Sequence, residues 1–157
     1  MFKAAKAGFL PYPAASGSRV SLIHVADVVG AILAALPPLQ AGEMASGLTI
    51  ELDDGQVGGH DWPAILTALA IAADHPVRSL RLPRPVMVPI AAGNEWLCRL
   101  RRQADVLSRA KLSELYHPDW VVTGPKMSEI CRWQPGFALM NGFIDTYRWY
   151  QEHSFTA

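Results

Sequence analysis

The sequence predicts an α/β chain in which helices outnumber a few short strands. Short runs that are β-branched or alternate apolar with polar residues stand at 20–24, 48–52 and 77–82. Each is followed by a longer stretch whose apolar residues recur at helical spacing, and proline and glycine punctuate the joins. Strand followed by helix favours α/β over segregated layers, and three or four short strands make an incomplete sheet. No internal period is visible.

A helix ending at Gly8 opens the chain, and the Pro- and Ser-rich stretch 9–18 reads as a loop. Residues 20–24 form a strand ending at His24, and Asp27 precedes an apolar helix that stops at Pro37. In 48–52, Leu48, Ile50 and Leu52 alternate with Thr49 and Glu51, and Asp53-Asp54-Gly55 makes a turn. Asp61 then caps a helix with Pro63 in its first turn and apolar Ile65, Leu66, Leu69, Ala72 and Ala73. The run 77–82 is a short strand closed by prolines. A helix from about Met87, with Trp96, Leu97 and Leu100 on its apolar side, leads to a shorter one over 106–116. Residues 120–122 are extended, Gly124 and Pro125 introduce a helical turn, and a packing helix carries Leu139, Met140, Phe143, Tyr147 and Tyr150.

Composition narrows the class. At 157 residues, one domain over 1–157 is expected. Hydrophobic residues make up 50%, charged residues 18%, and mean hydropathy is +0.13, so the chain is globular and apolar enough to need a partner surface. Lys plus Arg equals Asp plus Glu at 14 each, with no run of five like charges, which argues against a nucleic-acid partner. Cys98 and Cys131 lack a CxxC spacing, so neither a disulfide framework nor a zinc site is indicated and a reducing cytoplasm is expected. The front end has no signal-peptide core, and the apolar run 31–39 is broken by Pro37 and Pro38 far short of the ~20 residues a span requires. A soluble protein without a membrane partner is the expectation.

Four landmarks occur in an order that carries a resemblance: "LIHVAD" leading into a long apolar helix, "SGLTIELDDG" before the helix "WPAILTALAIAAD", the loop "CRWQPG", and "NGFIDTYRWY". Together they resemble the C-terminal half of an extended short-chain dehydrogenase/reductase, the NAD-dependent epimerase/dehydratase family. "RLPRP" and "HPDWVV" lean towards its dihydroflavonol-reductase-like and 3β-hydroxysteroid-dehydrogenase-like branches. The resemblance implies an incomplete Rossmann-type fragment carrying a substrate-binding lobe. Complete members use NAD(P), held by a GxxGxxG loop, and a Tyr-x-x-x-Lys pair whose lysine depresses the phenol pKa for proton transfer. Here "GQVGGH" lacks that spacing, and Tyr12, Tyr116, Tyr147 and Tyr150 are followed four residues on by Ser16, Trp120, Gln151 and Ser154. The chain is therefore expected to correspond to the part of such an enzyme that follows its catalytic lysine, with neither catalytic nor cofactor-binding residues of its own.

Arg19, His24, Trp96 and Trp120 are the candidate substrate-binding residues. The family's nucleotide-sugar epimerases carry a phosphate-binding arginine four residues before the histidine. Val20 holds that place here and Arg19 is one residue earlier, which in a strand turns the side chain to the other face. His24 and Asp27 stand where a substrate cleft would lie, but they read first as structural, His24 as an interior hydrogen-bonding residue and Asp27 as a helix cap. Asp53, Asp54, His60 and Asp61 lack metal-site spacing and read as a solvated turn with an N-cap. His75 and His117 read as loop histidines, Cys98 and Cys131 as small core residues within helices, and Trp133 and Trp149 as packing aromatics. Three functions are consistent with this reading: the substrate-binding C-terminal portion of an NAD(P)-dependent reductase or epimerase, not catalytically complete alone; a free-standing binding or oligomerisation module without redox activity; and catalysis in trans, with a separate chain supplying the cofactor-binding domain. A homodimer is expected in the first two, because strands without their former partners leave open edges.

Overall fold

The computed structural model describes residues 1–13, 15, 17–44, 47–101 and 109–153. Among them the chain is mixed α/β, with seven helices and five short strands in two small sheets. The order is α1 (Phe2–Lys6), β1 (Phe9–Pro13), β2 (Arg19–Val20), α2 (Val25–Gln40), β3 (His60–Asp61), α3 (Trp62–Ala73), β4 (Arg78–Leu82), α4 (Arg84–Arg101), α5 (Arg109–Leu115), β5 (Asp119–Trp120), α6 (Met127–Ile130) and α7 (Leu139–His153). The helix expected over 106–116 has its first residues outside the described ones.

One sheet pairs β1 with β4 in parallel, Phe9 opposite Arg78 through Pro13 opposite Leu82. This strand replaces the loop expected from the proline content of 9–18. The Arg78 amide donates to Gly8 O at 2.9 Å, so positions 8, 10 and 12 point their backbone groups at β4 and the two prolines fall on the outward edge, where no donor is needed. The other sheet has the order β3-β2-β5, with β2 antiparallel to β3 and parallel to β5.

Four further expectations are corrected. The strand over 20–24 shrinks to Arg19–Val20, because His24 is already the N-cap of α2, its Nδ1 accepting from the Ala26 amide at 3.3 Å. Residues 48–52 form no strand, and the nearby backbone bond is from Asp54 N to Leu22 O at 2.8 Å. Finally, α2 continues through Pro37 and Pro38 to Gln40. The missing amides would have served the carbonyls of Leu33 and Ala34, and Leu33 lies exposed. Helix α4 likewise starts earlier than Met87, at Arg84, because Pro83 O accepts from Val86 and Met87.

Two apolar clusters hold the elements. Leu69 and Ala73 of α3 pack on Tyr147 of α7 with Ala5 and Leu10, and Phe2 and Phe143 close over them. Met87 and Ala91 of α4 pack on Leu112 of α5, with Leu82 and Tyr116 alongside. The Tyr116 hydroxyl donates to Leu82 O, and burial raises its pKa above the ordinary value of 10.0. A phenol held protonated in the fold contributes stability below about pH 10 that is lost as pH rises past the unfolded value. Tyr116→Phe should therefore cost about 1 kcal/mol at neutral pH. Urea melts should show that gap narrowing above about pH 10.

Candidate functional site

Strands β2 and β5, the joint before α2, and the ends of α1, α3, α5 and α7 line an open cavity of about 630 Å³. Its wall is mostly apolar: Phe2 from α1, Leu22 and Ile23 from the β2–α2 joint, Trp62 and Ile65 from α3, Phe137 and Phe143 at α7. A few polar side chains reach it, among them Arg19, His24, Asp54, His117 and Thr146. An apolar chamber with few polar groups is the usual make-up of a small-molecule site.

Arg19 is aimed by carbonyls. Its Nε donates to Gly58 O and its Nη2 to Gly59 O at 2.9 Å, which leaves the remaining guanidinium donors for the cavity. Those carbonyls are presented by a tight loop: Gly58 and Gly59 have φ of 74° and 61°, where an L side chain is strained. The loop is closed by His60 Nε2 and Asp54 Oδ2, 2.6 Å apart with side chains only 10% and 5% exposed. The Asp54 side chain is thus buried and not solvated as expected, but both aspartates do make the expected turn, Asp53 accepting from the Gly55 amide at 3.0 Å and Asp54 Oδ1 from the Gln56 amide at 3.2 Å. Asp61 caps α3, its carboxylate accepting from Ala64 N at 2.9 Å.

His24 stands at the opposite joint, stacked on Phe137 with ring centroids 4.0 Å apart, its Nε2 3.3 Å from Asp145 Oδ2. Asp27 does not cap α2; it sits in the first turn and its carboxylate accepts from Gly136 N at 2.8 Å and Phe137 N at 2.9 Å. The two residues therefore act as a strap: Asp27 fixes the backbone of 136–137, and Phe137 fixes the imidazole. Gly142 lines the same wall, and a Cβ there would meet His24 and Phe137 at 3.5–3.8 Å, ordinary contact. Gly142→Ala should stabilise the chain by about 0.5–1 kcal/mol in urea unfolding, since a helical glycine gives up more backbone entropy than alanine.

Trp120 is 52% exposed, donates its indole N–H to Glu114 O at 2.9 Å, and meets the His117 ring at 5.1 Å, both rings lining the cavity. The structure thus brings Arg19, His24 and Trp120 to one chamber. Trp96 stands elsewhere, 67% exposed on α4 and outside the lining. Sequence reasoning missed Asp54, His117, Trp62 and Phe137. The His117-Pro-Asp-Trp120 spacing was the one available signal, since an imidazole and an indole three residues apart on a turn can meet.

Cys98 lies in α4, its Sγ 3.8 Å from Asn94 Oδ1, whereas Cys131 follows the end of α6 in extended backbone and is not helical as expected. Among the described residues no three His, Cys, Asp or Glu side chains could hold a metal ion together. No helix among them is long and apolar enough to cross a membrane.

The glycine loop does not fit a dinucleotide pyrophosphate. A phosphate cradle needs open space beside its glycines and free amides at a helix N-terminus. Here a Cβ on Gly59 would stand 2.9 Å from the Val20 backbone, and the Asp61 carboxylate already occupies the N-terminus of α3.

A curated relative, the protein named ceramide reductase of Caulobacter vibrioides (strain NA1000 / CB15N), is 29% identical to this chain over 134 residues. The match takes in 85% of this chain and 40% of the relative, so the chain spans well under half of that protein's length. No model of a known family matches the chain. No solved structure matches it. The relative links the chain, at a distance, to reductase-like proteins.

Proposed function

We propose that this chain is the substrate-holding portion of an NAD(P)-dependent reductase of the extended short-chain dehydrogenase type, binding a long-chain amphiphile of the ceramide kind. The observation that carries this reading is the apolar 630 Å³ chamber with an arginine oriented by two loop carbonyls. Alkyl chains suit the phenylalanine, leucine and tryptophan walls, and the free guanidinium donors suit an amide or hydroxyl oxygen. The similarity to a reductase named for a ceramide supports that substrate class. In this reading NAD(P) and the proton-transferring tyrosine belong to a complementary part, since the glycine loop present here is filled by its own packing. Trp62 and Trp120 line the chamber and report occupancy by fluorescence. Titration with a short-chain ceramide should shift the emission saturably, and Arg19→Ala should weaken binding about tenfold, the loss of one charged hydrogen bond. An unchanged spectrum, or equal affinity in the variant, would sink the proposal.

A second reading, an assembly module, is favoured by α2. Val25, Val29, Ile32, Leu33 and Leu36 stand exposed at helical spacing along one uncharged face. Pairing of two copies over that face would show as a dimer in sedimentation equilibrium that Ile32→Glu abolishes.

A further inference from the structure

We propose that Asp54 and His60 are positioning residues for the head of the chamber's ligand: by bracing the loop between them they decide which edge of the Arg19 guanidinium is left to the chamber, and that edge selects heads with two neighbouring oxygens. The inference rests on the reading of the chamber as an amphiphile site and narrows what it recognises.

A guanidinium has two hydrogen-bonding edges, one formed by Nε–H with an Nη2–H and the other by Nη1–H with the second Nη2–H. The first edge is taken, since Nε and Nη2 donate to Gly58 O and Gly59 O. Arg19 lines the chamber whereas Gly58 and Gly59 do not, so the occupied edge belongs to the loop and the fork of Nη1 and Nη2 is left for a ligand. No carboxylate pairs with Arg19 among the described residues. Two parallel N–H groups match two acceptor oxygens side by side, whereas a single oxygen uses only part of the fork. The amide and hydroxyl oxygens of a ceramide-like head meet that requirement.

The aim of the arginine depends on where two carbonyls point, and they lie in a turn outside helix and strand. Its ends are tied by backbone: Asp54 N donates to Leu22 O at 2.8 Å, and His60 pairs with Val20 in the β2–β3 ladder. Side chains supply the brace between those ends. His60 Nε2–H donates to Asp54 Oδ2 at 2.6 Å, and Asp54 Oδ1 accepts from the Gln56 amide at 3.2 Å. Gln56 O in turn accepts from Gly59 N at 3.0 Å. That N–H belongs to the same peptide unit as Gly58 O, so the brace sets the plane of the peptide that holds Arg19 Nε. The two side chains are only 10% and 5% exposed, which keeps water from competing for their contact.

The test titrates the tryptophan fluorescence of the full chain with three probes that share one octyl chain: bromooctane, octanol and the vicinal octanediol. The diol-to-octanol affinity ratio should fall about tenfold in His60→Ala, the worth of one hydrogen bond to a charged donor, while bromooctane binds within about twofold of the parent. His60→Gln keeps an N–H near the place of Nε2 and should recover most of the ratio. Because His60→Ala leaves a buried carboxylate without its donor, His60→Ala combined with Asp54→Ala is measured beside it and should lose the ratio equally. In an Arg19→Ala background His60→Ala should change the ratio no further, since the pair acts through the arginine. A purely structural role would weaken all three probes together. That outcome, or a ratio unchanged in both the single and the combined variant, overturns the proposal. If the ratio persists while short-chain ceramide binds the parent and Arg19→Ala weakens it, the positioning role alone falls; if neither ceramide nor any octyl probe shifts the emission, the chamber reading falls with it.

Discussion

Asp27→Ala lowers the unfolding free energy by about 3 kcal/mol, seen as a fall of about 6–12 °C in the melting temperature of a chain this size. The carboxylate is buried and accepts two backbone amides, from Gly136 at 2.8 Å and Phe137 at 2.9 Å. Each bond to a charged acceptor is worth about 1.5–3 kcal/mol, and alanine leaves both donors facing a methyl group. Water can reach the exposed Gly136, which holds the total near the lower end of the sum. Asp27→Asn gives a graded control: one carbonyl oxygen still accepts, but the amide nitrogen presents a donor to a donor, so about half the loss is expected. The loss also spreads to the chamber. Once 136–137 is released, Phe137 no longer holds the His24 ring at 4.0 Å, so ligand affinity should fall in Asp27→Ala even at temperatures where the chain stays folded. A melting temperature within about 2 °C of the parent would show that the strap is not under load.

The strap illustrates what a sequence can and cannot convey. Helix α3 was legible in full, because Asp61, Pro63 and the spacing of Ile65, Leu69 and Ala73 are local signals that tertiary packing did not override. Helix α7 and strand β4 were legible for the same reason. Asp27 looked like a cap because an aspartate before an apolar run ordinarily is one, yet its partners lie more than a hundred residues away in sequence, which no local pattern encodes. Strand β1 was hidden by Pro11 and Pro13, whose cost depends on which edge they occupy, a fact set by the pairing with β4. Of the residues that line the chamber, resemblance and residue chemistry had singled out Arg19, His24 and Trp120, while Asp54 read as a solvated turn residue. Its buried contact with His60 exists only because the intervening glycines fold the loop back on itself.

Those glycines carry the second large effect. Gly59→Ala is expected to cost about 3 kcal/mol, and Gly58→Ala only about 1 kcal/mol, although both residues sit at positive φ one position apart. The left-handed backbone costs either alanine about 1–2 kcal/mol. What separates them is space: the nearest neighbour of a Cβ at Gly58 is the Arg19 guanidinium at 3.8 Å, an ordinary contact with the end of a flexible side chain. At Gly59 the same atom would stand 2.9 Å from the Val20 backbone and 3.0 Å from Val121 Cγ2, and backbone in a ladder cannot step aside. Relief requires β3 to move off β2, which carries away the Gly59 carbonyl that holds Arg19 Nη2. Gly59→Ala should therefore lose both stability and affinity, whereas Gly58→Ala should keep affinity within about twofold because its carbonyl stays in place. Urea unfolding and ceramide titration of the two variants side by side provide the check. Equal behaviour of the pair would mean that the 58–59 turn neither packs on β2 nor aims the arginine, and the chamber would then lack the oriented cation on which its reading as a polar-headed lipid site depends.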